Sequence, residues 1–134
     1  MPLKLCLQPL PRLRGASSQL SAGWNLISLR ALDPLKTVVD PVSRLIIQPY
    51  HPFTRESALP VAAGDINEVW VEIFPTAAKI VAGHRLRLSI QPADTPHQSP
   101  SLPEFAKLVG GVLSIYHDAA HPSAVVLPTL ATGG

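Results

Sequence analysis

The five histidines are the residues of this sequence best suited to general acid–base chemistry or to metal binding. They are His51, His84, His97, His117 and His121. On a helix, the spacing of His117 and His121 would place both side chains on one face, as in some zinc sites. Here they border a predicted strand end and a loop, and no third ligand lies nearby, whereas zinc needs three or four. The pattern favours ordinary loop histidines, and we expect no metal site and no cofactor.

A serine nucleophile of the α/β-hydrolase type would need a Gly-x-Ser-x-Gly turn, which exposes the hydroxyl between a strand and a helix. The sequence contains no such turn, and the nearest cluster, residues 15–19, lacks the second glycine and a preceding strand. The acidic residues that could act as general acids show no paired spacing: Glu72, Asp94, Glu104 and Asp118. We interpret them as solvated carboxylates and predict no catalytic residue in this chain.

The clearest structural element is the stretch 84–91, which follows a glycine turn. Apolar and polar residues alternate along it, with Leu86, Leu88 and Ile90 set against Arg85, Arg87, Ser89 and Gln91. Because a strand sends successive side chains to opposite faces, the pattern predicts one buried face and one solvated face. In the alternative, Arg85 and Arg87 bind carboxylates or backbone carbonyls of a partner domain.

Several further short strands are predicted, and together they indicate the fold class. They cover residues 24–32, 44–48, 68–74, 112–117 and 123–128, with one or two helical turns over 102–109. The 15 prolines argue against a helical protein. The chain is therefore expected to be all-β, as a sandwich or jelly roll. Trp24 and Trp70 are expected in a core or an interdomain contact, and a sugar-binding platform is the alternative.

Residues 1–22 show little pattern and are predicted to be a tail or linker, with the domain spanning 23–134. Pro2, Pro9 and Pro11 are expected to exclude a helix or a central strand there. The first residues also lack the charged, apolar and small-residue regions of a secretion signal, so we expect a cytoplasmic protein.

Composition excludes several classes of protein. The 134 residues carry a net charge of +2 without a basic cluster, so nucleic-acid binding is not expected. No apolar run approaches the roughly 20 residues of a membrane span. The lone Cys6 excludes an internal disulfide and a cysteine zinc site. Only 15% of residues are charged, against about 25% in typical soluble domains, which suggests that another domain or subunit covers some surface.

A series of motifs in a fixed order resembles a known family. They are Leu29-Arg30-Ala31-Leu32-Asp33-Pro34, Pro49-Tyr50-His51-Pro52-Phe53, Val71-Glu72-Ile73-Phe74-Pro75-Thr76, residues 82–90, Ser114-Ile115-Tyr116-His117, His121-Pro122-Ser123 and Leu127-Pro128. Together they resemble the C-terminal domain of the CocE/NonD hydrolases, which include Xaa-Pro dipeptidyl-peptidases and cocaine esterase. The resemblance covers about residues 23–130. Leu29 stands where that family usually has a histidine.

The resemblance implies a galactose-binding-like jelly roll, incomplete at its N-terminal side, with residues 84–91 as a central strand. In the family this sandwich packs on an α/β-hydrolase domain that carries a Ser-Asp-His triad, and it helps to wall the substrate cleft. None of the triad maps onto this chain, which is therefore expected to be inactive alone and to need that catalytic domain as its partner. The alternatives are a stand-alone carbohydrate- or ligand-binding module, and an interaction subunit that pairs its edge strands with another chain or with a second copy.

Overall fold

The computed structural model describes residues 18–92 and 112–130, together with the backbone of residues 2–11. Within these ranges the regular elements are short strands and one 3₁₀-helix. They are β1 (Pro2–Pro11), β2 (Ser21–Leu26), the 3₁₀-helix (Ile27–Leu29), β3 (Val38–Val39), β4 (Ile46–Gln48) and β5 (His84–Gln91). The described residues form no α-helix, and none of their helices is long and apolar enough to cross a membrane. The all-β prediction is confirmed at this level.

Strand β1 is the centre of an antiparallel three-stranded sheet of order β2-β1-β5. Residues 4–7 pair with both neighbours, whereas Pro2 pairs only with β2, and Pro9 and Pro11 pair only with β5. Backbone nitrogens alternate in direction along a strand. The nitrogens of Pro9 and Pro11 therefore point to one side of β1, and that of Pro2 points to the other side. With the first side toward β2, Pro9 and Pro11 point away from β5 and Pro2 points away from β2. Each proline then lies where no ladder hydrogen bond is lost.

The prediction that these prolines exclude a central strand is therefore wrong. The number of prolines can be read from the sequence, but the positions at which the two neighbouring strands end cannot. Those positions decide whether a missing N–H costs the sheet a hydrogen bond. Residues 2–11 and Ser21–Leu26 are strands of the main sheet; the boundary between a tail over residues 1–22 and a domain over 23–134 stays a prediction.

The register of the sheet decides which side chains share a face. Gly23 and Ile90 both pair with Leu5, and Trp24 and Gln91 both pair with Lys4; directly paired residues project to the same side. The face called inner here carries Ser21, Gly23 and Asn25 of β2 and Leu86, Leu88 and Ile90 of β5. The opposite face, called outer, carries Ala22, Trp24 and Leu26 of β2 and Arg85, Arg87, Ser89 and Gln91 of β5.

Strand β5 forms as predicted, but its burial and position differ from the prediction. Leu86 is 39% exposed and Ile90 37% exposed, and only Leu88 and Ser89 are half-buried. In the described sheet β5 is an edge strand, not a central one. The expected contrast between a buried and a solvated face is therefore not found along β5.

The predicted strand over 24–32 ends early, and local hydrogen bonding explains why. The side-chain Oδ1 of Asn25 accepts a hydrogen bond from the backbone N–H of Leu26 at 2.7 Å. Such a side-chain bond competes with the ladder, and the chain turns into the 3₁₀-helix at Ile27. The guanidinium of Arg30 then donates to the carbonyl oxygens of Ile27 and Pro60 at 3.0 and 3.2 Å, which ties the helix to a distant loop.

A second, two-stranded sheet lies within the long proline-rich connection. Strand β4 falls inside the predicted 44–48 stretch and pairs antiparallel with β3. Asp40 holds the turn between them, because its carboxylate accepts hydrogen bonds from the N–H and the hydroxyl of Ser43. The predicted strands over 112–117 and 123–128 have no regular assignment, and the predicted helical turns over 102–109 lie outside the described residues.

Little apolar surface is buried. Ala22 and Ile27 are the buried hydrophobic side chains of the described residues, while Ser21, Asn25 and His51 are buried polar ones. Polar contacts therefore connect the described segments more than apolar burial does.

Candidate functional site

The most organised polar site joins Asn25 of β2 to His51 in the loop after β4. Asn25 is 3% exposed and His51 is 8% exposed. The side-chain nitrogen Nδ2 of Asn25 lies 3.1 Å from Nε2 of His51 and donates to the carbonyl oxygen of Trp70 at 3.1 Å. Nδ1 of His51 lies 3.1 Å from the carbonyl oxygen of Ala31. We call these four residues the Asn25–His51 cluster.

The hydrogen bonds assign the orientation of both side chains. Since Oδ1 of Asn25 accepts from the N–H of Leu26, its NH₂ group must face His51 and Trp70. Neutral His51 with its proton on Nδ1 then donates to Ala31 and accepts from Asn25 at Nε2. Nε2 also lies 3.0 Å from the carbonyl oxygen of Trp70.

The cluster connects segments that are far apart in sequence. It ties β2 to Ala31, to the Pro49–Phe53 motif and to Trp70. Buried polar groups that are fully paired stabilise one arrangement of the chain, and removal of one partner leaves the others unsatisfied. Both ring nitrogens of His51 face the backbone and Asn25, so the contacts of the imidazole lie within the fold.

Residues 70–74 lie antiparallel against the inner face of β2. The hydroxyl of Ser21 donates to the carbonyl oxygen of Phe74, and Asn25 donates to that of Trp70. Between them, a Cβ added to Gly23 would overlap the carbonyl oxygen of Glu72. The predicted strand over 68–74 thus runs beside β2, but side chains hold it in place of a regular ladder. One backbone bond, from the N–H of Phe74 to the oxygen of Ala22 at 3.0 Å, supplements them.

The two tryptophans differ in environment and do not form a shared platform. Trp24 is 44% exposed on the outer face, and its ring meets Phe74 edge to face, with centroids 5.0 Å apart. Trp70 is half-buried, and its carbonyl oxygen belongs to the Asn25–His51 cluster. Among the described aromatic pairs none joins Trp24 to Trp70, so the paired platform expected for sugar binding is not formed there.

The histidines singled out by spacing lie in an exposed turn. Nδ1 of His121 is 3.2 Å from Oδ1 of Asp118, which also accepts the N–H groups of Ala120 and His121. The hydroxyl of Ser123 donates to the carbonyl oxygen of Tyr116 rather than to a histidine. In the described part of the chain, no three His, Cys, Asp or Glu residues come close enough to hold a metal ion.

Other predicted residues are placed as follows. His84 begins β5, and Glu72 contributes its backbone to the contact with Gly23. His97, Asp94, Glu104 and residues 15–17 lie outside the described residues. The sequence pattern does not single out Asn25, and it marks His51 as one of five histidines and as part of the Pro49–Phe53 motif. The signal for His51 was present: it is a histidine enclosed by Pro49 and Pro52, where a short rigid loop can bury an imidazole.

An apolar depression of about 190 Å³ lies beside the β3–β4 hairpin. It is lined by Leu32, Pro34, Thr37, Val39 and Ile46. The threonine hydroxyl is the one side-chain polar group of this lining, so the depression offers no acid, base or nucleophile to a ligand.

Comparison with known proteins identifies relatives of this chain. Residues 5–126 match the family described as the X-Pro dipeptidyl-peptidase C-terminal non-catalytic domain. Candidate serine esterases of Mycobacterium bovis and Mycobacterium tuberculosis are each 29% identical to the chain over 119 residues. That alignment covers 87% of this chain but only 17% of either relative. No solved structure matches the chain significantly.

The matched range begins at residue 5 and so includes most of the segment that the motifs left outside the domain. It also contains β2, β5 and most of β1, whose pairing forms the main sheet. The resemblance to the C-terminal domain of the CocE/NonD hydrolases is confirmed. The chain belongs to the family of X-Pro dipeptidyl-peptidase C-terminal non-catalytic domains.

Proposed function

We propose that the chain acts as a C-terminal accessory domain of a serine hydrolase, packs on an α/β-hydrolase domain and shapes its substrate cleft. The observation that carries the proposal is the match of residues 5–126 to a domain family described as non-catalytic. A domain of this kind contributes surface and rigidity, whereas a separate domain supplies nucleophile and base. We further propose a jelly-roll sandwich, which the antiparallel sheet and the β3–β4 hairpin support.

The described side chains support a role without catalysis. A serine nucleophile needs a base within hydrogen-bond reach. The buried His51 is instead occupied by Asn25 and two backbone carbonyls, and the exposed His121 contacts Asp118 in a turn. None of the hydrogen bonds found among the described residues joins a serine hydroxyl to a histidine ring.

The relatives favour ester or acyl substrates for the partner domain. Both are named as candidate serine esterases, and the chain spans about a sixth of their length. The family description instead refers to X-Pro dipeptidyl-peptidases. We propose that the partner is an ester hydrolase, since the relatives align with 87% of this chain.

Two measurements test the proposal. The purified chain is incubated with an aryl ester and with an Ala-Pro anilide, and no turnover above the buffer rate is expected. Turnover that a serine-directed inhibitor abolishes would overturn the non-catalytic role. The second uses a chimera, in which this chain replaces the matched region of the Mycobacterium tuberculosis esterase. The chimera is expected to hydrolyse the aryl ester, whereas the esterase without that region is expected to be impaired.

A further inference from the structure

The long loop between His51 and Trp70 is fixed at both of its ends by one buried side chain. This loop, residues 52–69, is called the strap here. Nδ2 of Asn25 donates to Nε2 of His51 and to the carbonyl oxygen of Trp70, each at 3.1 Å. Because the two flanking residues meet at Asn25, the strap is a closed loop whose ends belong to the Asn25–His51 cluster.

Little of the strap is buried between these ends. Of residues 53–68, Ser57 and Asn67 are half-buried and all others are exposed. Its internal hydrogen bonds are local and form two turns, Thr54–Ser57 and Ala62–Asp65. Segments with little buried surface open at a lower free energy than the rest of a fold, so the contacts at the middle of the strap decide whether it stays closed.

The middle of the strap is bonded to the 3₁₀-helix and to the residue that follows it. The N–H of Leu59 donates to the carbonyl oxygen of Ser28 at 2.7 Å. Both terminal nitrogens of Arg30 donate to the carbonyl oxygen of Pro60 at 3.2 Å. Apart from these, no hydrogen bond found among the described residues joins residues 53–68 to another part of the chain. Since bonds from a charged donor are stronger than neutral ones, Arg30 is the side chain that keeps the strap closed.

We propose that the strap opens and closes as one unit while the main sheet stays folded, with Arg30 as its latch. In the closed state the bonds at Leu59 and Pro60 are formed. In the open state these bonds are broken, and Asn25 still holds the two ends of the strap. Opening gives water access to the N–H of Leu59 and to the carbonyl oxygen of Ser28, without loss of the strand pairing.

Amide hydrogen exchange of the purified chain, followed by NMR, tests the proposal through the N–H of Leu59. In a strap that opens by itself, this N–H exchanges about tenfold faster or more than the slowest N–H groups of β2 and β5. Low urea concentrations should leave its rate unchanged, because local opening exposes little surface, whereas they should accelerate exchange in the sheet. Equal rates and equal urea dependence for Leu59 and the sheet would overturn independent opening.

Arg30→Met tests the latch, because it keeps an apolar stem and removes the donors. We expect it to speed exchange at Leu59 about fivefold or more, as loss of a charged donor implies. Arg55→Met is the matched control within the strap. Arg55 is exposed, and its backbone oxygen, not its guanidinium, takes part in a hydrogen bond among the described residues. Its substitution should leave the rate at Leu59 within about twofold, since no latch bond is lost.

An unchanged rate at Leu59 in folded Arg30→Met would overturn the role of Arg30 as the latch. An equal acceleration in Arg55→Met would overturn it too, because any loss of charge from this region would then have the same effect. If Arg30→Met does not fold, the urea dependence of exchange in the unsubstituted chain decides whether the strap opens by itself.

Discussion

Gly23 is the position where a substitution should most clearly lower the stability of the fold. A Cβ at this residue would overlap the carbonyl oxygen of Glu72, and it would lie 2.7 Å from the carbonyl carbon of Glu72 and 3.0 Å from the Cα of Ile73. All three are backbone atoms, so no side-chain rotation relieves the contact. Gly23→Ala must push residues 70–74 away from the inner face of β2.

The expected cost combines overpacking with weakened hydrogen bonds. Forcing extra carbon into a filled site costs about 1–3 kcal/mol. The displaced segment also carries the bonds from Ser21 and Asn25 and the N–H of Phe74, each worth about 0.5–1.5 kcal/mol. The lower entropy of the unfolded alanine chain offsets about 0.4–1 kcal/mol. Because the hydrogen bonds are weakened rather than lost, we expect Gly23→Ala to lower the free energy of unfolding by about 2–4 kcal/mol.

Urea denaturation followed by tryptophan fluorescence measures this change, because Trp24 and Trp70 flank the contact. Gly83→Ala is the control, since a Cβ there meets no atom within 4 Å. Because φ of Gly83 is +87°, Gly83→Ala should lower the free energy of unfolding by about 1–2 kcal/mol. Gly83→Asn should lower it less, because asparagine tolerates this conformation. Gly23→Asn should instead be at least as harmful as Gly23→Ala. A Gly23→Ala protein as stable as wild type would refute the close approach of residues 70–74 to β2.

Three further predictions concern the polar contacts. Asn25→Ala should lower the free energy of unfolding by about 1–3 kcal/mol in urea denaturation, because His51 and Trp70 lose a buried partner; an unchanged midpoint would contradict the buried cluster. His51→Ala should cost about as much, and His51→Gln should cost less because it can both donate and accept; equal losses would contradict the hydrogen-bond assignment. The hydrogen bond from the Ser43 side chain, followed by that from its N–H, lowers the pKa of the Asp40 carboxyl below its usual value. The contribution of Asp40 to the turn is therefore present above the unfolded-state pKa and is lost as pH falls through the lower folded-state pKa. A carboxyl NMR titration should show this lowered pKa and its return toward the ordinary value in Ser43→Ala; identical titrations in the two proteins would rule out this cause.

The sequence predicted those features of the fold that depend on local pattern. Alternation over 84–91 located β5, and the short apolar run over 44–48 located β4. The central position of β1 could not be read in the same way, because the cost of Pro9 or Pro11 depends on where β2 ends. Residues 68–74 show a strand pattern, yet Gly23 and two polar side chains of β2 receive them without a ladder.

For the candidate site too, the sequence pattern located some residues and missed others. Spacing drew attention to His117 and His121, which lie in an exposed part of the chain. The buried histidine is His51, whose partner Asn25 precedes it by 26 residues and whose acceptors are backbone carbonyls. Contacts to backbone atoms leave no residue-type signature. The ordered set of motifs nevertheless identified the family, and one of them, the Pro49–Phe53 motif, contains His51.

Activity of the chimera tests the central claim most directly. The kcat/KM for an aryl ester is compared between the chimera and the Mycobacterium tuberculosis esterase that lacks the region matched by this chain. If the chain is an accessory domain, the chimera should have the higher kcat/KM, and a serine-directed inhibitor should abolish its activity. Equal kcat/KM values for the two proteins, each shown to be folded, would contradict the claim that this chain supports a hydrolase.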